Sequence, residues 1–214
     1  MIQFKASYLK QLKHFIGFGD IRYYLRGVHI EPYSEGGAIL VATDGHCMMV
    51  VIDKDAIVTE PKTFYVNQDL FKHCSSDENK CLINEETQRL EIVGVAGNEL
   101  FIQPGKCFVE ENEKIKFPDF RKVIPDFELL KPIMPSYVSA NILDKLNKVN
   151  LMKRAKTFPI RFWSNEEIGT TIIIQFEFYP EILVAMMPCR GYDHVQSMEK
   201  LKKNFKFNPA KNNE

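Results

Sequence analysis

The chain is 214 residues long, enough for one large domain or two small ones, and its 45% hydrophobic content supports a buried core. Lysine plus arginine and aspartate plus glutamate both number 28, so no global basic excess points to nucleic acid, and any such contact must come from local segregation of charge. No apolar run approaches about 18 residues and Gln3–Lys13 alternates polar and apolar side chains, which argues against a membrane span or signal sequence and leads us to expect a cytoplasmic protein.

In chain order, Ser7 is the expected N-cap of a helix whose Leu9, Leu12 and Ile16 form an apolar stripe. Strands are predicted over Leu25–Ile30, Ala38–Thr43 and Met48–Asp53, with Gly36-Gly37 and Asp44-Gly45 as turns. A second round starts with a strand at Thr63–Val66. Asn67 then caps a short helix carrying Leu70, Phe71 and Cys74, and strands follow near Cys81–Ile83, Leu90–Val95 and Leu100–Gln103. Pro125, Pro132 and Pro135 punctuate a connector. A third round has a strand near Ile133–Val138 and a helix over Ser139–Asn150 that buries Ile142, Leu143, Leu146 and Val149. Its strands are Phe158–Trp163, Thr170–Phe176 and Ile182–Met187, the middle one reading as a largely buried run. The order strand, helix, three strands thus recurs three times, an α+β pattern. Residues 191–214 are a lysine-rich tail in which Val195, Met198, Leu201 and Phe205 fall at helical spacing, and Asn208–Glu214 reads as disordered.

Cys47, Cys74, Cys81, Cys107 and Cys189 are odd in number and form no C-x-x-C pair, so they read as reduced, packed thiols. His73, Cys74 and Cys81 do not make a metal set, because adjacent helical residues point in different directions. Asp44 with His46, and the acidic stretch Glu110–Glu113, are the only hints of acid–base or metal chemistry, and nothing completes either. No phosphate-binding glycine loop or nucleophile motif is present. The reading is a protein that is not an enzyme, with no cofactor and no metal.

Four separated segments carry the functional signal: Asp20-Ile21-Arg22-Tyr23-Tyr24-Leu25-Arg26-Gly27, Ala42-Thr43-Asp44-Gly45-His46, Phe117-Pro118-Asp119-Phe120-Arg121-Lys122-Val123-Ile124-Pro125 and Ala185-Met186-Met187-Pro188-Cys189-Arg190. In that order they resemble the middle and end of the bacterial DNA polymerase III β subunit, the replication sliding clamp. The resemblance implies a DNA clamp fold built from βαβββ units, about three here: a clamp domain over residues 1–125, a shortened one over 126–190, and the basic tail. It implies that Leu25, Thr43, Gly45, His46, Pro118, Lys122, Val123, Met187, Pro188 and Cys189 form a groove for the clamp-binding motifs of polymerases and other replication proteins. Thioether and aliphatic groups suit such a groove because they adapt to varied ligands. Cys47 stands where the family commonly has arginine and Cys189 where it has methionine, so the preferred motif is expected to differ.

Lys10, Lys13, Arg22, Tyr23, Tyr24, Lys72, Lys145, Lys148, Lys153 and Arg154 are the expected contacts to double-stranded DNA, through its backbone and without sequence preference. The partners implied are duplex DNA, a DNA polymerase, a clamp loader and further copies of the chain. The family's ring holds twelve such units, so about four three-unit copies would close it. So reduced a form is what a phage or mobile element would encode. The alternative, from a different class, is a non-encircling clamp-like module that captures replication proteins as a decoy or regulator. The tail Val195–Phe205 could occupy the groove.

Overall fold

The computed structural model describes residues 1–76, 78–94, 100–109, 116–133, 138–149, 159–165 and 170–187. Its strands are β1 (Ile2–Lys5), β2 (Val28–Pro32), β3 (Ala38–Thr43), β4 (Cys47–Asp53), β5 (Lys62–Phe64), β6 (Lys80–Asn84), β7 (Arg89–Val93), β8 (Leu100–Ile102), β9 (Lys131–Pro132), β10 (Ile160–Ser164), β11 (Ile172–Phe176) and β12 (Tyr179–Met186). The α-helices are α1 (Ala6–Leu12) and α2 (Ala140–Lys148), and Gln68–His73 forms a tighter 3-10 helix in the corresponding place of the second unit. The described residues therefore hold three βαβββ-like units, as the periodicity predicts. None of their helices is long and apolar enough to cross a membrane.

The strands form two antiparallel sheets, β1-β6-β7-β8 and β5-β2-β3-β4-β12-β11-β10-β9. The first two units exchange their opening strands. β1 pairs with β6 of the second unit (Ile2 opposite Ile83), while β5 pairs with β2 of the first (Val28 opposite Phe64). Among the described residues the third unit has no such partner and closes on itself, β9 pairing with β10 (Trp163 opposite Pro132). The larger sheet runs through β4 into β12, from Val51 opposite Ile182 to Cys47 opposite Met186, and so joins strands from both sides of residue 125.

Alternation of side chains along the strands builds two apolar layers. Leu40, Met49, Val51, Ile174 and Val184 face inward, where they meet Leu9, Leu12 and Phe15 of the first helical segment, Leu70 and Phe71 of the 3-10 helix, Ile142 and Leu146 of α2, and the inner face of the smaller sheet. Ile39, Val41, Met48, Val50, Ile173 and Ala185 face outward and are covered by Phe117 and Phe120. β3 and β4 are consequently buried on both faces, which explains their near-continuous apolar sequence.

Several local expectations shift. Ser7 lies inside α1, whose N-cap position is Lys5 without a side-chain cap, because β1 runs directly into the helix. Asn67 does cap its helix, accepting from the Asp69 amide at 3.1 Å. Residues 25–27 are not strand: Tyr23–Arg26 is a 3-10 turn that buries Leu25, and β2 begins at Val28. Leu143, expected on the buried stripe, is 46% exposed, since Ile142, Leu146 and Val149 already fill the contact with the sheet. Cys47, Cys74, Cys81 and Cys107 are free and buried, whereas Cys189 and the tail lie outside the described residues.

Candidate functional site

The turn between β3 and β4 is held by its own polar side chains. The Thr43 hydroxyl donates to the Cys47 carbonyl at 2.9 Å and accepts from the Gly45 amide at 3.0 Å. Asp44 Oδ1 accepts from the His46 and Cys47 amides, each at 2.9 Å. Gly45 sits at φ +86°, in the left-handed region open mainly to glycine, and the Arg22 guanidinium comes within 2.7 Å of where a Cβ would stand. The end of β12 is pinned to this turn, the Met187 amide donating to the His46 carbonyl at 2.9 Å.

The turn forms one wall of an open cavity of about 220 Å³. Leu25, Thr43, Gly45, His46, Pro118, Val123 and Met187, all expected in the groove, line it together. Leu25 is buried and makes the floor, while Val123 and Met187 are 42% and 50% exposed at the rim. Lys122 lies on the same short helix as Val123 but points to solvent beside Asp119, 3.7 Å away. Pro188 and Cys189 lie outside the described residues. Cys47, Met48, Phe117, Phe120, Thr171, Ala185 and Met186 also line the cavity. Most of these sit in or beside the four motif segments and could have been read there; Thr171 has no sequence signal.

Arg22 belongs to this wall. It clamps Asp20 through Nε at 3.0 Å and Nη2 at 2.8 Å, and that hydrogen bonding holds the Asp20 carboxyl down at about 2. Phe117 and Phe120, the covering side, are anchored in turn: His29 stacks on Phe117 with ring centroids 4.8 Å apart, and Arg121 pairs with Glu31. Beyond Phe120 the outer sheet face holds a second apolar cavity, about 540 Å³, lined by Ile39, Val50, Ile52, Phe127, Trp163 and Leu183 among others.

On the helical side, Lys145 reaches across from α2 to Asp44 and lies 3.4 Å from Cys47 Sγ. Burial alone pushes Asp44 upward, yet the Lys145 hydrogen bond and the two turn amides hold it below the usual carboxylate range. Burial also pushes the Cys47 thiol up to about 11, so it is an unreactive wall. His14 is pushed down to about 4 by burial and by the positive charges of Lys13, Lys148 and Lys145. Most basic side chains here have partners: Lys10 bonds Ser75 at 3.2 Å, Lys13 lies 5.8 Å from the Phe71 ring centre, Lys72 is 3.5 Å from Asp69, and Lys148 pairs with Asp144. Tyr23 and Tyr24 pack edge to face at 6.2 Å. Lys153 and Arg154 lie outside the described residues. Among the described residues no group of three or more His, Cys, Asp or Glu could hold a metal ion.

No protein-family model matches the chain, and no curated protein matches it. Solved structures do. DNA polymerase III subunit beta from Borrelia burgdorferi, in complex with a natural product, superposes with a TM-score of 0.57 at 15% identity over 89% of this chain and 64% of its own. The DNA polymerase sliding clamp from Pseudomonas aeruginosa, with ligand, gives 0.58 at 15% identity over 88% and 65%. A Pseudomonas aeruginosa clamp bound to griselimycin gives 0.56 at 16% over 89% and 66%. The chain thus spans about two thirds of the length of these proteins, and it has their fold: that of the bacterial sliding clamps.

Proposed function

We propose that this protein acts as a sliding clamp, a non-enzymatic accessory of DNA replication that docks linear peptide motifs of a polymerase in the groove under Phe120. Its clamp domain would cover residues 1–125 and a shortened one residues 126–190. The observation that carries the reading is convergence: four segments scattered from residue 20 to residue 187 line one cavity. A buried apolar floor, exposed aliphatic and thioether rims and a polar turn for orientation are what a short peptide needs. The sliding clamps of the same fold include ligand-bound ones, which supports a ligand-accepting surface here as well. Lys13, Lys145 and Lys148, whose positive charges all act on His14, support weak backbone contact with duplex DNA at a dissociation constant on the order of 10⁻⁴–10⁻⁶ M, sufficient for a ring held by topology.

A second reading is favoured by a specific feature of that face. Lys145 and Lys148 are engaged by Asp44 and Asp144, which lowers the charge offered to phosphate and suits a module that binds replication proteins without encircling DNA. The two readings separate on DNA topology. A clamp assembled on closed circular DNA stays bound through gel filtration and is lost when the circle is cut; a decoy or regulator is lost from both while keeping its peptide affinity.

A further inference from the structure

The outer face of the larger sheet carries its two cavities in series. Along β4 the groove is lined by Met48 and the larger cavity by Val50 and Ile52; along β12 Ala185 gives way to Leu183, and along β11 Thr171 to Ile173, with Phe120 as a wall common to both. The larger cavity, about 540 Å³, is lined mostly by aliphatic and aromatic side chains, and the short helix on its margin leaves Phe127 and Leu129 59% and 60% exposed. An apolar surface of this kind with a polar rim marks a place where another segment packs.

Reach, pattern and charge point to the chain's own C-terminal segment as the occupant. β12 delivers the chain to Met187 at the groove rim, about 13 Å along the strand direction from Leu183. Residues 188–194 span up to about 23 Å when extended, enough to turn back and bring Val195 over the larger cavity. From there Val195, Met198, Leu201 and Phe205 fall on one face of a helix about 15 Å long, a stripe too large for the 220 Å³ groove. Lys202, Lys203 and Lys206 lie beside that stripe. Around the groove the acids are already engaged, Asp20 by Arg22, Asp44 by Lys145 and Asp119 by Lys122. At the larger cavity Glu181 lines the wall while Asp126 and Glu128 bracket Phe127, and among the described residues none of these three is in a salt bridge.

We propose that residues 195–205 form a basic amphipathic helix that packs into the larger outer cavity, over Trp163, Phe127 and Leu183, with its lysines along the acidic margin. The seat is next to the groove and not in it, so the tail covers the outer face while the peptide site stays open. This inference goes beyond the clamp reading and does not depend on it.

Trp163 is the only tryptophan of the chain and lines the cavity, so its fluorescence reports the seat directly. The test is acrylamide quenching of the full chain, comparing wild type with Leu201→Asp, Phe205→Asp. A seated tail shields Trp163, and quenching should rise roughly twofold in the double variant with the far-UV spectrum of the sheets retained. Should that variant fail to fold, Glu128→Lys decides: this exposed position does not line the cavity, and the reversed charge should raise quenching by repelling the tail, while Lys202→Glu with Lys206→Glu in the same chain should restore the shielding. Quenching unchanged in these variants would overturn the proposal. So would shielding that grows with protein concentration, which puts the tail on another copy, or a gain in peptide affinity in the double variant, which puts the tail in the groove. Quenching needs no peptide, so its failure and a failure of the groove are read separately.

Discussion

Gly45 shows how much one residue can fix at this site. Its positive φ turns β3 into β4, and its missing side chain admits the Arg22 guanidinium. Gly45→Ala is expected to cost about 1–3 kcal/mol by chemical denaturation and to displace Arg22 from the groove wall. The Thr-Asp-Gly turn was legible in the sequence, whereas the role of Arg22 was not, because proximity to Tyr23 and Tyr24 says nothing about which way a guanidinium swings. His14 gives a pH prediction. Its folded value, about 4, lies below the ordinary 6.5, so the unfolded chain binds the proton more readily in between. The neutral His14 therefore supports the fold above about pH 6.5, and that support is lost as pH falls toward 4. The loss of melting temperature between pH 7 and 4.5 should be smaller in His14→Gln than in wild type; an identical loss would remove His14 from the account. Phosphate or DNA at this cluster should raise the His14 titration midpoint, read by NMR.

At the scale of elements, the segment carrying Phe117 and Phe120 matters most. It seals the outer face of the central strands and separates the two outer cavities, and its anchors differ in weight. Phe117→Ala should cost about 3–5 kcal/mol of stability, the range for a buried aromatic. Arg121→Ala should cost no more than about 1 kcal/mol, because its pair with Glu31 is largely exposed on the arginine side. Equal costs in thermal denaturation would contradict this division. Helix and strand positions were mostly legible from period alone, and β11 read as a largely buried run. The exchange of β1 and β5 between the first two units, and the self-closure of β9, were not, since periodicity identifies strands but not their partners. Leu143 misled for a related reason: helical spacing marks an apolar stripe without saying how much of it the sheet is wide enough to cover.

For the whole molecule, the fold was legible chiefly through four short motifs in order. At 15% identity with the clamps it superposes on, the chain shares their fold. The balanced charge, 28 against 28, together with the engaged lysines, predicts weak DNA contact that fades with added salt. The central claim is the groove, and its most direct test is fluorescence anisotropy of a labelled peptide carrying a bacterial polymerase III clamp-binding motif, titrated with wild type, Met187→Glu and Val123→Glu. Both positions are exposed at the rim, so the variants should fold normally. Loss of one apolar anchor, about 1.5–3 kcal/mol, should weaken binding by roughly 10- to 150-fold. Saturable wild-type binding weakened in both variants is the predicted result; no binding, or binding that both variants leave unchanged, would contradict it.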